Sequence, residues 1–478
     1  MPKTKISEYS ATANSNTDVG GINIDEGCAP SGINDAIRTM MAQLKNFQTG
    51  TGGDAFNGPV NGTVGATTPA AGAFTSLSAS TTLTATGAGS IQGLTVGRGA
   101  GAVSTNTAVG ASALAGNSTG NNSTALGYEA LKLSTGDANT AIGAGALDAN
   151  TSGNFNSAIG RGALGANTTA DNNTAVGYIA LRDNTTGTEN TAVGVSALAA
   201  NTSAIYGTAF GSNALASNTT GDVNSAFGRY AYQTNTTGTG GAAFGANALR
   251  ANTTGSQNVA VGTDSLRLNT TASYNTAVGY QSGYSNTTGA GITSVGYSVL
   301  YGNTTGGENV GMGGSATGIS ALASNTTGSN NTGIGSGALA RNTTASNNTA
   351  VGYQAGYTQT TATQNTLLGY QAGYLTTGSY NCFVGTVAGY STTGQLNSFV
   401  GYGAGTSVTS GSKNSILGAY SGNQGGVDIR TASNYIVLSD GDGNPNAYSD
   451  NNGAWTFGLG GTGASSSYGV IYLNGASS

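Results

Sequence analysis

Histidine is absent from the 478 residues, and cysteine (2), proline (5), tryptophan (1) and charged residues (7%) are scarce. Without histidine the chain cannot supply a Ser-His-Asp or Cys-His constellation in cis, and it lacks the commonest general base and transition-metal ligand. Cys28 and Cys382 stand far apart. They fit neither a disulfide framework nor a zinc site, and point to assembly in a reducing compartment. The formal charge is −5 and there is no basic run, which argues against a nucleic-acid partner. No stretch approaches the 18 or so apolar residues of a membrane-spanning helix. The opening residues MPKTKISEYS lack the apolar core of a secretion signal, so no membrane insertion is expected. The acidic residues, among them Glu129, Asp137 and Asp264, do not recur at one phase. No fixed carboxylate pair of the glycosidase kind stands out, and the chain is not expected to be an enzyme or to need a cofactor.

Glycine, asparagine and threonine fill the space those residues leave, and they are ordered. From 105 to 418 one motif, roughly N-T-A-V-G-Y-x-A-L-x-x-N-T-T-G-x-x, is written nineteen times. Its central glycine falls at Gly110, Gly127, Gly143 and onward to Gly418, in steps of 17 residues broken by three of 16 and one of 22. The period is too short for a helical repeat and matches one coil of a β-solenoid. Counting from that glycine as position 0, position −1 is apolar in all nineteen copies, +4 is Leu in eleven, −4 is Asn in fifteen and +7 is Asn in twelve. Stacked about 4.8 Å apart, such positions form apolar ladders and amide ladders. Position −1 is expected to lie inside, so Val193 should fill the core while Thr191 is dispensable. Glycine and asparagine are expected to supply the positive φ angles of the corners. Nineteen coils make a rod about 90 Å long.

The rest of the chain divides around this rod. Residues 1–50 hold the one convincing helix, 31–47, in which Ile33, Ile37, Met40, Leu44 and Phe47 alternate by three and four as in a coiled-coil seam. Ser31 reads as its N-cap. Two heptads are too short to stand alone, so the helix either lies on its own chain or joins a trimeric bundle or docking site, and these five residues are the candidates for trimerisation and for attachment to a larger assembly. Residues 51–104 read as an extended stem whose few apolar residues suit a core shared between chains. In the last coils position −2 changes from Ala to Leu367, Phe383, Phe399 and Ile416, which reads as a thicker interface between chains. Tyrosines such as Tyr280, Tyr284, Tyr353, Tyr357, Tyr370 and Tyr374 read as a stacked ladder more than as a sugar-binding surface. After Gly418 the period stops, and 419–478 reads as a separate β-rich tip. Tyr435, Tyr448 and Trp455 there are the receptor-binding candidates. Asp440, Asp442 and Asp450 read as turn chemistry, not as a calcium loop.

The copies NTAVGYIALRDNTTG and NTAVGYQAGY resemble the head repeats of trimeric autotransporter adhesins, a resemblance that covers about two thirds of the chain. It implies a left-handed parallel β-roll in a homotrimer. The segment APSGINDAIRTMMAQLKNF resembles the N-terminal region of bacteriophage tail-fibre proteins. GATTPAAGAFTSLSAS resembles a stem element of such fibres, and NYIVLSDGDGNPNAY resembles segments near their C-terminal ends. Together these imply a structural tail fibre located in the virion and assembled in the host cytoplasm. Its N-terminus would bind a phage tail or adaptor protein, and its C-terminal end a host surface glycan or protein. A bacterial surface adhesin is the alternative, and an ice-binding solenoid a more distant one. The fold expected is all-β, a trimeric solenoid with a short N-terminal helix and a small β-rich tip.

Overall fold

The computed structural model describes residues 18–19, 22–23, 30–49, 89–91, 94–101, 103–315, 319–458 and 468–471. The chain forms two units, Met1–Leu83 and Thr84–Ser478. Most of the expected stem, 51–88, lies outside the described residues. In the first unit the strands Asp18–Val19 and Ile22–Asn23 form an antiparallel pair beside the helix Pro30–Thr49. Ser31 is therefore inside the helix rather than its cap. Pro30 opens the helix, where its fixed φ is already helical and its missing N–H costs nothing.

The second unit is a β-solenoid. Each of the nineteen coils contributes one three-residue strand, from Thr107–Val109 to Ser415–Leu417, and each strand pairs in parallel and in register with the next. Thr191, Ala192 and Val193, for example, face Thr208, Ala209 and Phe210. Beyond the strands the rest of the coil also hydrogen-bonds to its neighbours: Leu181 N–H donates to Ala197 O at 2.9 Å, Asp183 to Ala199 at 3.0 Å and Thr185 to Thr202 at 2.9 Å. This satisfies the backbone without long strands.

The interior is narrow, and it inverts one expectation. In the coil around Gly177, the fully buried side chains are Asn173, Ala175, Ala180, Leu181 and Asn184. These are positions −4, −2, +3, +4 and +7. Position −1 points outward: Val176 and Val193 are only part-buried, and Leu126 and Leu417 are 46% and 59% exposed. The reason is the period of a strand. Positions −4 and −2 share one face and −3 and −1 the other, so a buried asparagine at −4 forces −1 outside. Alanine is what fits beside Leu181 in so thin a coil, and Val193 is not a core residue.

Both asparagine ladders form, by different chemistry. At +7 the amides stack directly: Asn184 Nδ2 donates to Asn167 Oδ1 at 2.9 Å and Asn201 Nδ2 to Asn184 Oδ1 at 2.7 Å. At −4 the amide bridges to backbone. Asn156 Nδ2 donates to Ala170 O at 2.8 Å within its own coil, while its Oδ1 accepts Asn173 N–H at 2.9 Å from the next. The carbonyl of Ala170 also accepts Asn167 Nδ2 at 3.1 Å, so both ladders converge on one acceptor that closes the coil.

The corners use the expected residues and others besides. Gly177 (φ 137) and Asn172 (φ 60) have positive φ, the ladder asparagines Asn173 and Asn184 do not, and Ile179 (φ 50), Leu181 (φ 50) and Glu189 (φ 58) are left-handed as well. A left-handed L-residue costs about 1–2 kcal/mol. Burying the leucine gains about 1.5–3 kcal/mol and its N–H pairs with the next coil, so the bend is sustained at +4. The central glycine is required for a second reason. At Gly262 (φ 126) a Cβ would lie 2.6 Å from Gly279 O, in the backbone of the following coil.

The late coils keep this core volume by another route. Where +4 becomes glycine at Gly373, Gly389 and Gly405, the vacated space is filled by Leu367, Phe383 and Phe399 at −2, all fully buried. A Cβ on Gly373 would come within 2.8 Å of Leu367 Cδ2, and one on Gly389 would overlap the Phe383 ring. The large residues at −2 are thus intramolecular core. They do not thicken a contact between chains.

The solenoid also extends past the repeats read in the sequence. Ile436–Ser439 stacks in parallel on Ser415–Leu417, giving one more rung, with the short hairpin Asn423–Gln424 and Val427–Asp428 inserted in its coil. Pro445–Ser449, Trp455–Gly458 and Tyr468–Ile471 then continue the same sheet as an antiparallel meander. At the other end Leu94–Gly97 pairs antiparallel with the first rung and with Gly89–Ile91. Both ends of the stack thus pass from parallel rungs into antiparallel strands.

Candidate functional site

The surface with the most regular chemistry is the outward face of the strand stack. Position −1 runs as an unbroken apolar row, and position −3 beside it holds Thr, Ser, Ala, Val or Cys382. Neither row contains a charged residue in any coil. Charged side chains of the coils, such as Lys132, Arg161, Arg182, Asp183 and Glu189, stand at other positions. Phe210, Phe227 and Phe244 stack along the row with ring centroids 5.0 and 4.9 Å apart. Both terminal caps prolong it: Val96 pairs with Val109 at one end, and Leu417 with Leu438 at the other. The strip is about 90 Å long and about 10 Å wide, from rung spacing and strand rise, so roughly 900 Å².

The tyrosines form short stacks on another part of the coil. Tyr357, Tyr374 and Tyr390 stack at 5.2 and 5.1 Å, and Tyr284 and Tyr301 at 5.1 Å. Arg341 sits 5.2 Å from the Tyr357 ring centroid and Arg267 5.6 Å from that of Tyr284. Tyr280 with Tyr297 and Tyr353 with Tyr370 stack likewise, at 5.4 and 5.5 Å, on the exposed surface. The tyrosines thus form stacked ladders, as the spacing suggested.

The three receptor-binding candidates do not converge. Tyr435 occupies position −4 of the last rung, where its N–H donates to Asn414 Oδ1 at 2.9 Å and ends that asparagine ladder. Tyr448 pairs with Val437 and Thr456 and, like Tyr435, packs against the hydrophobic core. Trp455 lies on the opposite face of its strand, stacked on Phe457 at 5.9 Å. Two of the three are core lids, and the third belongs to the outward face.

The acidic residues of this end form turns. Asp440 Oδ1 accepts the N–H of Asp442 and Asn444 at 3.0 and 2.8 Å, and these contacts, led by the Asn444 side chain, hold its carboxyl below the usual range. Asp450 Oδ1 accepts from Asn452 and Ala454 in the same way. Asp428 is paired with Arg430, whose side chain lowers its pKa to about 2. No group of three or more metal-ligating side chains is found among the described residues, and no described helix is long and apolar enough to cross a membrane.

In the first unit, Ile33, Ile37 and Met40 are 47%, 49% and 47% exposed, while Ala36 is buried. The apolar stripe read in the sequence is therefore present on the helix and uncovered by the described parts of its own chain. The side chains of Leu44 and Phe47 lie outside the described residues, although their backbone is helical.

Searches against protein-family models, curated proteins and solved structures found no match. The outward apolar row was missed as a surface because its residues were read as core. The signal that identifies it is the asparagine at −4, which fixes the strand's inner face.

Proposed function

We propose that the chain is the subunit of a structural attachment fibre of the bacteriophage tail-fibre kind. Three parallel copies bury their outward strand faces against one another. The observation that carries this reading is the uncharged apolar row at −1, continuous over nineteen coils and prolonged at both caps. At roughly 900 Å² per chain it matches the area a stable protein interface buries per partner. Its rungs repeat about every 4.8 Å, so a second copy of the same chain, in register, is the partner that matches every rung.

The resemblance of the repeats to trimeric adhesin heads supports three copies. The exposed stripe Ile33, Ile37 and Met40 supports a helical junction at the N-terminal end, where the fibre would be held by a phage tail or adaptor protein. The end beyond Gly418 would face a host glycan or protein. No reaction is assigned to the rod. Its coils convert repeat number into reach and stiffness. A bacterial surface adhesin would use the same rod. The ice-binding reading is less favoured, because the outward Thr row at −3 is interrupted by Ala242, Val259, Val310 and Cys382, and the Thr hydroxyls at +8 are spent on the backbone, as in Thr185 Oγ1 to Thr202 O at 3.0 Å.

Native mass measurement of the full chain tests the reading. Three chains per particle is the expected result, and a stable monomer at micromolar concentration would overturn it.

A further inference from the structure

We propose that Trp455 and Phe457 anchor the contact between copies of this chain at the end of the solenoid, and are not receptor-binding residues. The inference rests on the assembly reading above and adds a specific site to it. Register places these residues. Leu417 pairs with Leu438, Leu438 with Ala447, and Ala447 with Phe457; in the adjacent column Ser415 pairs with Ile436, Ile436 with Ser449, and Ser449 with Trp455. Directly paired residues share a sheet face, so Trp455 and Phe457 lie on the same face as the −1 and −3 rows.

Here that face is at its most apolar. Leu417, Ile436, Leu438 and Phe457 are 59%, 41%, 40% and 38% exposed, and Trp455 is half-buried beside them. Beneath them Ala447 and Ser449 are almost fully covered, so the large side chains form a raised cluster with small residues below it. A cluster of this kind, with an aromatic anchor at its centre, concentrates interface energy. The occupant is the same cluster on a second copy: it continues a row that only an in-register copy matches, and no charge lies within it. Asp440, Asp442 and Asp450 are held in turns by their own backbone contacts. Those turns, and not the tryptophan, are what this end offers to a third party.

Trp455 is the only tryptophan, so fluorescence of the full chain excited at the red edge, beyond the absorption of its 23 tyrosines, reports on this site. The experiment measures iodide quenching and native mass together, for the wild type and for Leu438→Asp. Leu438 is one column away on the same face. In the assembled wild type, Trp455 should be shielded from iodide. In Leu438→Asp, quenching should rise several-fold while far-ultraviolet circular dichroism stays unchanged, since the new carboxylate faces solvent in a single chain. Trimers whose Trp455 is quenched as readily as a free tryptophan derivative would overturn the anchor and leave the assembly reading standing. Shielding that is equal in wild type and Leu438→Asp would assign the protection to the chain's own strands and also overturn it. A monomeric wild type would defeat both readings.

Discussion

The exchange of volume between positions −2 and +4 gives a quantitative test of the coil core. Early coils pair a small −2 with a leucine at +4, as in Ala158 and Leu164; a late coil pairs Phe383 with Gly389. Phe383→Ala alone should leave a cavity and cost about 3–5 kcal/mol per chain. Gly389→Leu alone should overpack, because its Cβ would overlap the Phe383 ring, at about 1–3 kcal/mol. The double variant rebuilds the early-coil combination. The left-handed φ of 58 at Gly389 is one that Leu164 (φ 52) and Leu181 (φ 50) already adopt. The residual losses are the stacking of Phe383 on Phe399, now at 5.0 Å, about 0.5–1.5 kcal/mol, and the left-handed backbone of the new leucine, about 1–2 kcal/mol, which the single Gly389→Leu variant carries as well. The double variant should therefore be more stable than either single one, with a coupling energy of about 2.5–7.5 kcal/mol, at or above the usual range for contacting residues. Because repeat arrays need not unfold in one step, the readout is the melting temperature together with amide exchange in the strands Thr366–Leu368 and Cys382–Val384. Strictly additive penalties would refute the assignment of both residues to one shared interior site.

Three further outcomes follow from the same geometry. Ala192→Asp should abolish folding of its coil, at several kcal/mol for an unpaired buried charge, whereas Val193→Asp should leave the coil folded and lower the native mass; circular dichroism and mass measurement separate the two. Asn201→Ala removes the donor to Asn184 Oδ1, now at 2.7 Å, and should cost about 1–3 kcal/mol for the orphaned buried acceptor, read as a lower denaturation midpoint. Asp428 is ionised well below its ordinary pKa because Arg430 holds it near 2. Its stabilising contribution is therefore fully present above pH 4, the ordinary carboxylate range, and fades as pH falls towards 2. With no histidine to titrate, the melting temperature should be flat from pH 8 to about pH 5; a step near pH 6.5 would contradict this.

The solenoid was legible because its signal is repetition. Nineteen glycines at a fixed spacing, with Asn at −4 and +7 and Leu at +4, specify a stack of coils, and those three positions are buried where the spacing implied. Apolar character alone puts −1 in the core, whereas the buried asparagine at −4, an odd number of residues away along the strand, places −1 on the opposite face. Glycine and asparagine do take positive φ at corners, as at Gly177 and Asn172, but residue preference alone does not reveal the further left-handed position at Leu181, which burial of the leucine sustains. The strand at Ile436–Ser439 reads from the sequence as part of a separate tip and not as a further rung, because the inserted hairpin lengthens its step and Tyr435 replaces the usual asparagine. The receptor candidates were chosen for being aromatic near an end, and that criterion does not distinguish a core lid such as Tyr448 from a surface residue such as Trp455.

Cys382 offers the most direct test of the central claim, that copies of this chain meet along the outward face. It occupies position −3 on that face, part-buried, between Thr366 and Ser398 of the neighbouring rungs. In an in-register parallel assembly the Cys382 thiols of all copies lie at one height along the rod. In full-length protein carrying Cys28→Ser, a short bis-maleimide should join chains through Cys382 into covalent dimers, and a trifunctional maleimide should carry them to trimers. The yield should not depend on dilution within the range where the native mass stays constant. Chains that modify quickly but remain single on a denaturing gel would show that this face is open to solvent, and would contradict the account.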